Sequence, residues 1–348
     1  MHATASVQSD YVITPGIATM HVPGPDGGWR RGLFPSQEIK GEGAIVSTID
    51  DMLRWAGHLT RQDRFGSPAS WAQLFAPHEG ADPRRGAYAL GIRLAEYRGL
   101  RTIGHTGGVI GGSCDMLSFP DEHLDIVLLV NGAPGVSTAL TRTVVDIVLA
   151  DRLSPVDPPP AASSYRDWLG EWWSAETGMV YGLVDHNGLL KLEICGLPYY
   201  SLELKATPDG GLLLPEGSFG EITFGRRDPN DMASLDIGFG DAVHGYRRLD
   251  PNSIDLARFA QELEGRYVSA DADATATIAG TADKLVMTMR DGFAEAVNRI
   301  EAVGADVAKL GTPEEGYDCV ISLIRTFGAV QGFRLNTGRT RHLEFLRG

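Results

Sequence analysis

Arg101-Thr102-Ile103-Gly104-His105-Thr106-Gly107-Gly108-Val109-Ile110-Gly111-Gly112 is the stretch on which the reading of this chain turns. A polar His-Thr pair ends a predicted strand, and four glycines follow it. Glycine lets a ligand come close to the backbone, and a strand edge offers its N–H and C=O groups to an extended substrate. The stretch therefore suits a peptide-like acyl group. Taken alone, the same residues also read as a plain glycine-rich strand turn. They do not match the phosphate cradles G-x-G-x-x-G or G-x-x-x-x-G-K-[ST]. The surrounding sequence has to decide.

Upstream, residues 47–59 open with Ser47, Thr48, Asp50 and Asp51, groups that accept the free N–H bonds of a first helical turn. Apolar residues Ile49, Met52, Leu53, Ala56 and Leu59 follow at helical spacing, which predicts an amphipathic helix. Residues 88–94 and 101–105 read as strands joined near Arg98-Gly99. Residues 115–119 and 124–131 form a second pair around Pro120-Asp121-Glu122, and 138–152 read as a helix. This pattern predicts an α+β region with an antiparallel sheet covered by helices.

Downstream, the proline-rich residues 154–164 cannot continue a helix or enter a central strand, and they read as a linker. Beyond them the chain breaks into short strands. Tyr165-Arg166-Asp167-Trp168-Leu169-Gly170-Glu171-Trp172-Trp173-Ser174-Ala175 resembles Phe259-Ala260-Gln261-Glu262-Leu263-Glu264-Gly265-Arg266-Tyr267-Val268-Ser269-Ala270, and the ends Gly245-Tyr246-Arg247-Arg248-Leu249 and Leu343-Glu344-Phe345-Leu346-Arg347 correspond as well. Two similar small antiparallel β-barrels of lipocalin-like type are expected, at 165–250 and 251–348, after a partial α+β domain at 1–153. Two copies of barrel size do not make a solenoid. The 43 glycines among 348 residues agree with a β-rich chain of many tight turns.

A formal charge of −14 without clustered Lys or Arg argues against nucleic acid or an anionic membrane as partner. The longest apolar run, Ile126 to Val130, is far below the ~20 residues of a membrane span. The first ten residues show no secretory signal pattern, so a cytoplasmic location is expected if Met1 is the true start. Cys114, Cys195 and Cys319 form no Cys-x-x-Cys pair and are expected to be reduced, mostly buried thiols. His58, His123, His186, His244 and His342 lack metal-ligand spacing, and Asp271-Ala272-Asp273-Ala274 lacks the Gly and Glu of a calcium loop. Neither a metal nor a cofactor is expected. Trp168, Trp172 and Trp173 are expected to pack a barrel core, with a ligand mouth as the alternative.

Residues 41–55 (Gly-Glu-Gly-Ala-Ile-Val-Ser-Thr-Ile-Asp-Asp-Met-Leu-Arg-Trp), then Gly91, then Gly104-His105-Thr106-Gly107-Gly108, occur in an order and spacing that resemble the β-lactamase-like serine hydrolases. That family includes class C β-lactamases, DD-carboxypeptidases, esterases and D-aminopeptidases, and the trailing barrels are similar to the three-domain D-aminopeptidase arrangement. The resemblance implies a small peptide, ester or β-lactam substrate. It also implies substrate contacts from His105, Thr106 and Gly107, and an oxyanion-hole donor in the Gly108 N–H. Family enzymes add S-x-x-K, whose Ser is acylated, and a Tyr-x-Asn motif. Here no Ser has Lys at the third following position and no Tyr has Asn two residues on. A substrate wall without a nucleophile cannot run acyl transfer. The expectation is a C-terminal portion that is inactive alone and forms an oligomer or joins a complementing chain. The alternative is a non-catalytic binding or interaction protein derived from such a hydrolase.

Overall fold

The structure is a computed structural model that describes residues 1–7, 14–23, 28–32, 43–62, 65–76, 87–109, 111–132, 137–155, 157–195, 201–217, 220–226, 228, 230–239, 242–292, 295–312, 316–338 and 340–348. Gly41, Glu42 and Ile110, quoted above, lie outside these residues. The chain forms two compact units, Met1–Val156 and Asp157–Gly348.

The first unit is built on a five-stranded antiparallel sheet in sequential order: β1 (Ala87–Tyr88), β2 (Arg93–Tyr97), β3 (Leu100–Val109), β4 (Gly112–Phe119) and β5 (Leu124–Val130). Helix α1 (Ile49–Arg61) starts where the hydroxyl and acidic residues predicted, with Thr48 as its cap accepting from the Asp51 N–H at 3.3 Å. Its buried stripe is narrower than the apolar spacing suggested. Ala56 and Leu59 pack against Ile103 and Met116, with Met52 alongside, while Ile49 and Leu53 are exposed on the next face round. A short helix α2 (Pro68–Leu74) is capped by Ser67 and contributes Trp71 to the same core. On the other face of the sheet, α3 (Ser137–Val148) buries Val145 against Phe119.

The second unit contains two antiparallel sheets. Nine strands, from β6 (Gly170–Trp173), β7 (Val180–His186), β8 (Leu189–Ile194) and β9 (Ser201–Glu203) through β10 (Lys205–Ala206), β11 (Leu212–Gly217), β12 (Gly220–Gly225), β13 (Ser234–Phe239) and β14 (Ala242–Arg248), form one sheet. Its order is β9-β8-β7-β6-β14-β13-β12-β11-β10. The two terminal strands are thus consecutive in the chain, and the buried Leu204 sits between them. The remaining eight, β15 (Gly265–Ser269) through β22 (Leu343–Arg347), close into a barrel, introduced by α4 (Leu256–Leu263). Both interiors are filled with side chains, including Trp172, Leu192 and Tyr246 in the first and Tyr267, Met287 and Phe333 in the second. Part of the expected linker belongs to the first sheet: Ala161 bridges to Leu189, and Ala162 is buried at the start of a 3-10 helix over Ala162–Trp168.

The sequence repeat is visible as a repeated clasp. Arg248 lies over the Trp172 ring at 5.5 Å and donates to the Leu169 carbonyl. Arg347 lies over the Tyr267 ring at 5.3 Å and donates to the Glu264 carbonyl at 3.1 Å. Each ring reaches back four residues, Trp172 Nε1 to the Trp168 carbonyl at 2.9 Å and Tyr267 Oη to the Leu263 carbonyl at 2.7 Å. Gly170 and Gly265 both have positive φ, and a Cβ on either would meet the clasping guanidinium, at 3.3 and 2.8 Å. The glycine, the aromatic ring and the arginine therefore form one unit in each copy.

Candidate active-site wall

The H-T-G-G residues lie within β3 and not beyond its end. β4 ladders against them through His105↔Met116, Thr106↔Asp115, Gly107↔Cys114, Gly108↔Ser113 and Val109↔Gly112. The expected turn is a strand because β4 keeps its register to the last pair, and the reversal comes at Gly111, where φ is +82°. Gly111 is fixed from outside as well. The His21 N–H donates to its carbonyl at 3.1 Å, and a Cβ there would stand 2.8 Å from the His21 nitrogen. Asn131 Nδ2 donates to the Thr19 carbonyl at 3.1 Å, tying the end of β5 to the same segment.

The other edge of β3 is different. β2 pairs with Leu100 to Gly104 and stops there. Among the described residues no strand covers residues 105–109 on that side. A Cβ on Gly108 would meet no atom within 4 Å. An extended chain could add to such an edge through main-chain hydrogen bonds.

Alternation along the strand separates the predicted site residues. His105 and Gly107 share the α1 side with Met116 and Cys114, and a Cβ on Gly107 would stand 2.5 Å from Cys114 Sγ. Thr106 faces the α3 side, opposite the buried Asp115. His105 Nδ1 lies 2.5 Å from the Thr106 carbonyl, which can only accept, so Nδ1 carries the proton. In the neutral ring Nε2 is then the acceptor for the Tyr88 hydroxyl, and the two rings meet edge-to-face at 5.7 Å.

Tyr88 is a partner of His105 that reading the motif alone does not find. The signal lay in the register: Tyr88 pairs with Arg93 and Arg93 with Gly104, which brings residue 88 across β2 to the neighbour of His105. Asp115 was missed too, because nothing in its local sequence says that it will be buried behind Thr106. Burial pushes its carboxyl above the usual range, against the opposing pull of the Thr141 hydroxyl and of Arg142, Arg93 and His105. Burial likewise raises the Cys114 thiol, helped by the Asp115 charge and opposed by the Gly107 N–H. Neither is poised as a nucleophile. His58 is buried among Trp55, Phe65 and Trp71, and His186 precedes the Asn187-Gly188 turn, where both residues have positive φ. Among the described residues no group of three His, Cys, Asp or Glu side chains has the arrangement of a metal site, and no helix is long and apolar enough to cross a membrane.

Residues 2–150 match the family model described as Beta-lactamase. Among curated proteins, the chain is 28% identical over 261 residues to a D-aminopeptidase of Brucella anthropi, covering 72% of this chain and 45% of that protein. It is 24% identical over 350 residues to a D-aminopeptidase of Cereibacter sphaeroides, covering 94% of this chain and 61% of that protein. The chain thus spans about half to three fifths of the length of these relatives. Among solved structures, the octameric penicillin-binding protein homologue from Pyrococcus abyssi is similar at a TM-score of 0.41 and 13% identity, covering 71% of this chain and 57% of that one.

Proposed function

Because residues 2–150 belong to the β-lactamase-like serine hydrolase family, we propose that this chain supplies the substrate-binding wall of a serine hydrolase of the peptidase, esterase or β-lactamase type, with D-aminopeptidase-like substrates foremost. The observation that carries the reading is the edge of β3 at residues 105–109, which no strand covers among the described residues, with His105 held beside it by Tyr88. An acyl substrate lies along this edge. The Gly108 N–H is one oxyanion donor, His105, Thr106 and Gly107 contact the substrate, and the Tyr88–His105 pair fixes the imidazole and can pass a proton. A donor of this kind is worth on the order of 3 kcal/mol in the transition state. The nucleophile comes from elsewhere, since these 348 residues hold no S-x-x-K.

Two surfaces of the first unit support a complementing segment. β5 pairs only with β4 among the described residues, although it reads Leu-Asp-Ile-Val-Leu-Leu-Val. Beside it, α3 exposes Leu140, Val144, Ile147 and Val148 at helical spacing. An apolar edge strand next to an apolar helix stripe invites a further strand and helix.

The test uses the purified chain with a chromogenic cephalosporin, D-alanine p-nitroanilide and a serine-directed phosphonate. Hydrolysis at the buffer rate and no stoichiometric labelling are expected. Binding of a D-alanyl-D-alanine peptide, followed by saturation-transfer NMR, should weaken roughly tenfold in His105→Ala, about 1.4 kcal/mol. Enzyme-like turnover with labelling would overturn the inactive part of this reading, and unchanged binding in His105→Ala would overturn the substrate wall. The absence of S-x-x-K equally favours a second reading, a non-catalytic binding protein descended from the hydrolase. That reading requires binding that survives His105→Ala.

A further inference from the structure

The second unit carries a cleft of about 340 Å³ lined by Asp167, Trp168, Asp209, Arg226 and Met232, with glycine backbone at 210, 211 and 225. It lies where the 3-10 helix before β6 meets the β10–β11 turn and the end of β12. We propose that this cleft binds the amino-terminal end of a peptide or amino-acid amide, taking the ammonium on the two carboxylates and the side chain against Trp168 and Met232. The proposal is independent of the hydrolase reading above.

Three features converge on that chemistry. Arg226 is fixed: Nη2 donates to the Asp167 carbonyl at 2.7 Å, Nη1 reaches the Asp231 carbonyl at 3.5 Å, and the guanidinium stacks over Trp168 at 5.3 Å. Among the described residues it is engaged by main-chain carbonyls and pairs with neither carboxylate. Asp209 is kept ionised, its Oδ1 taking the Thr207 hydroxyl and the Gly211 N–H at 3.4 Å, which holds its carboxyl below the usual range. Asp167 and Asp209 thus line a cleft whose one cation among the described lining residues is already engaged, a field that attracts an ammonium group. The third feature is an orphan donor. Arg226 Nε is buried with no acceptor among the described residues. A buried N–H without a partner calls for one, and the carbonyl oxygen next to an α-ammonium group would supply it after a small shift of the guanidinium.

The turn is built to keep the cleft open. Gly210 has a φ of +84°, and a Cβ on Gly211 would stand 2.8 Å from the Phe224 carbonyl, so both positions need glycine and leave the floor without side chains. The Tyr165 hydroxyl holds that floor by donating to the Gly211 carbonyl at 3.3 Å. The volume is small for a drug-like ligand and adequate for one amino-acid residue.

The probe is phenylalaninamide, in D and L forms, titrated into the full chain by saturation-transfer NMR, with N-acetylphenylalaninamide and phenylacetate as the neutral and anionic counterparts. Phenylalaninamide should bind in the millimolar range, and the acetylated and anionic probes should bind at least fivefold more weakly. Asp209→Asn and Asp167→Asn, both near isosteric, should each weaken it about threefold to fivefold, and the affinity should fall as salt rises. An excess of N-acetyl-D-alanyl-D-alanine, which lacks the ammonium group, should leave it unchanged, which separates this site from the β3 edge. Equal binding of the ammonium and acetylated probes would overturn the proposal, as would an unchanged affinity in both aspartate variants. Displacement by N-acetyl-D-alanyl-D-alanine would assign the signal to the first unit and overturn it as well.

Discussion

Asp51 shows how much one side chain can organise. Almost fully buried at the start of α1, its carboxylate accepts from the Ala3 N–H at 2.7 Å, the Thr4 hydroxyl at 3.0 Å and Arg54 at 2.6 Å. Burial works to raise its pKa, but these donors together outweigh it and hold the carboxyl at about 2, below the ordinary 3.8. A carboxylate with a depressed folded value stabilises fully above its unfolded value, and that contribution is lost as the pH falls through the folded one. Asp51→Asn should therefore lower the thermal midpoint at pH 6. The difference from the parent chain should close between pH 3.8 and about 2. Equal midpoints at pH 6 would show that the carboxylate ties the segment down without stabilising the fold. Asp115 has the opposite sign, since burial dominates there and disfavours its charged form.

Within one element, the glycines of β3 carry different burdens. A Cβ on Gly104 would stand 2.3 Å from the Met116 carbonyl, so Gly104→Ala must push β3 away from β4. Crowding of this kind typically costs about 1 to 3 kcal/mol. Gly108→Ala meets open space and should change stability by less than ~0.5 kcal/mol. Denaturant unfolding of the two variants, compared with the parent chain, tests the pair directly. A similar cost at both positions would mean that the ladder is looser than its register. The contrast also explains why a run of glycines reads ambiguously in sequence. Gly104 serves strand packing, Gly107 makes room for Cys114, Gly111 makes the turn, and Gly108 alone borders open space.

At the scale of the molecule, the second unit repeats one solution twice, with a core aromatic under an arginine clasp at the closing strand of each copy. The closed barrel places Phe333 between Tyr267 and Phe345, at ring-centroid distances of 5.1 and 5.0 Å, and leaves none of it exposed. Phe333→Ala should cost about 3 to 5 kcal/mol in unfolding free energy, because a filled interior cannot collapse onto the space. A cost below ~1 kcal/mol would mean that the interior repacks. Between the two sheets of this unit, Trp173, Val180, Cys195, Val303, Val307 and Val320 form a shared cluster, and Cys195 Sγ donates to the Cys319 carbonyl at 3.3 Å. Three cysteines with no local pairing in sequence thus include two whose residues touch across 124 positions.

The sequence by itself determined the helix after Thr48, the hairpin around Pro120-Asp121-Glu122, the second repeat of strands and a strand leading into H-T-G-G. Each rests on local rules of capping, turn chemistry and alternation that act over a few residues. It overextended the apolar face of α1 and ended β3 too early, because the partners Ile103, Met116 and β4 that decide both come from far along the chain. Tertiary structure alone placed Tyr88 on His105, buried Asp115 behind Thr106, left one edge of residues 105–109 without a partner strand among the described residues and gathered Asp167, Asp209 and Arg226 around one cleft. These are consequences of strand register and of side chains meeting across long loops, and no short-range pattern encodes them.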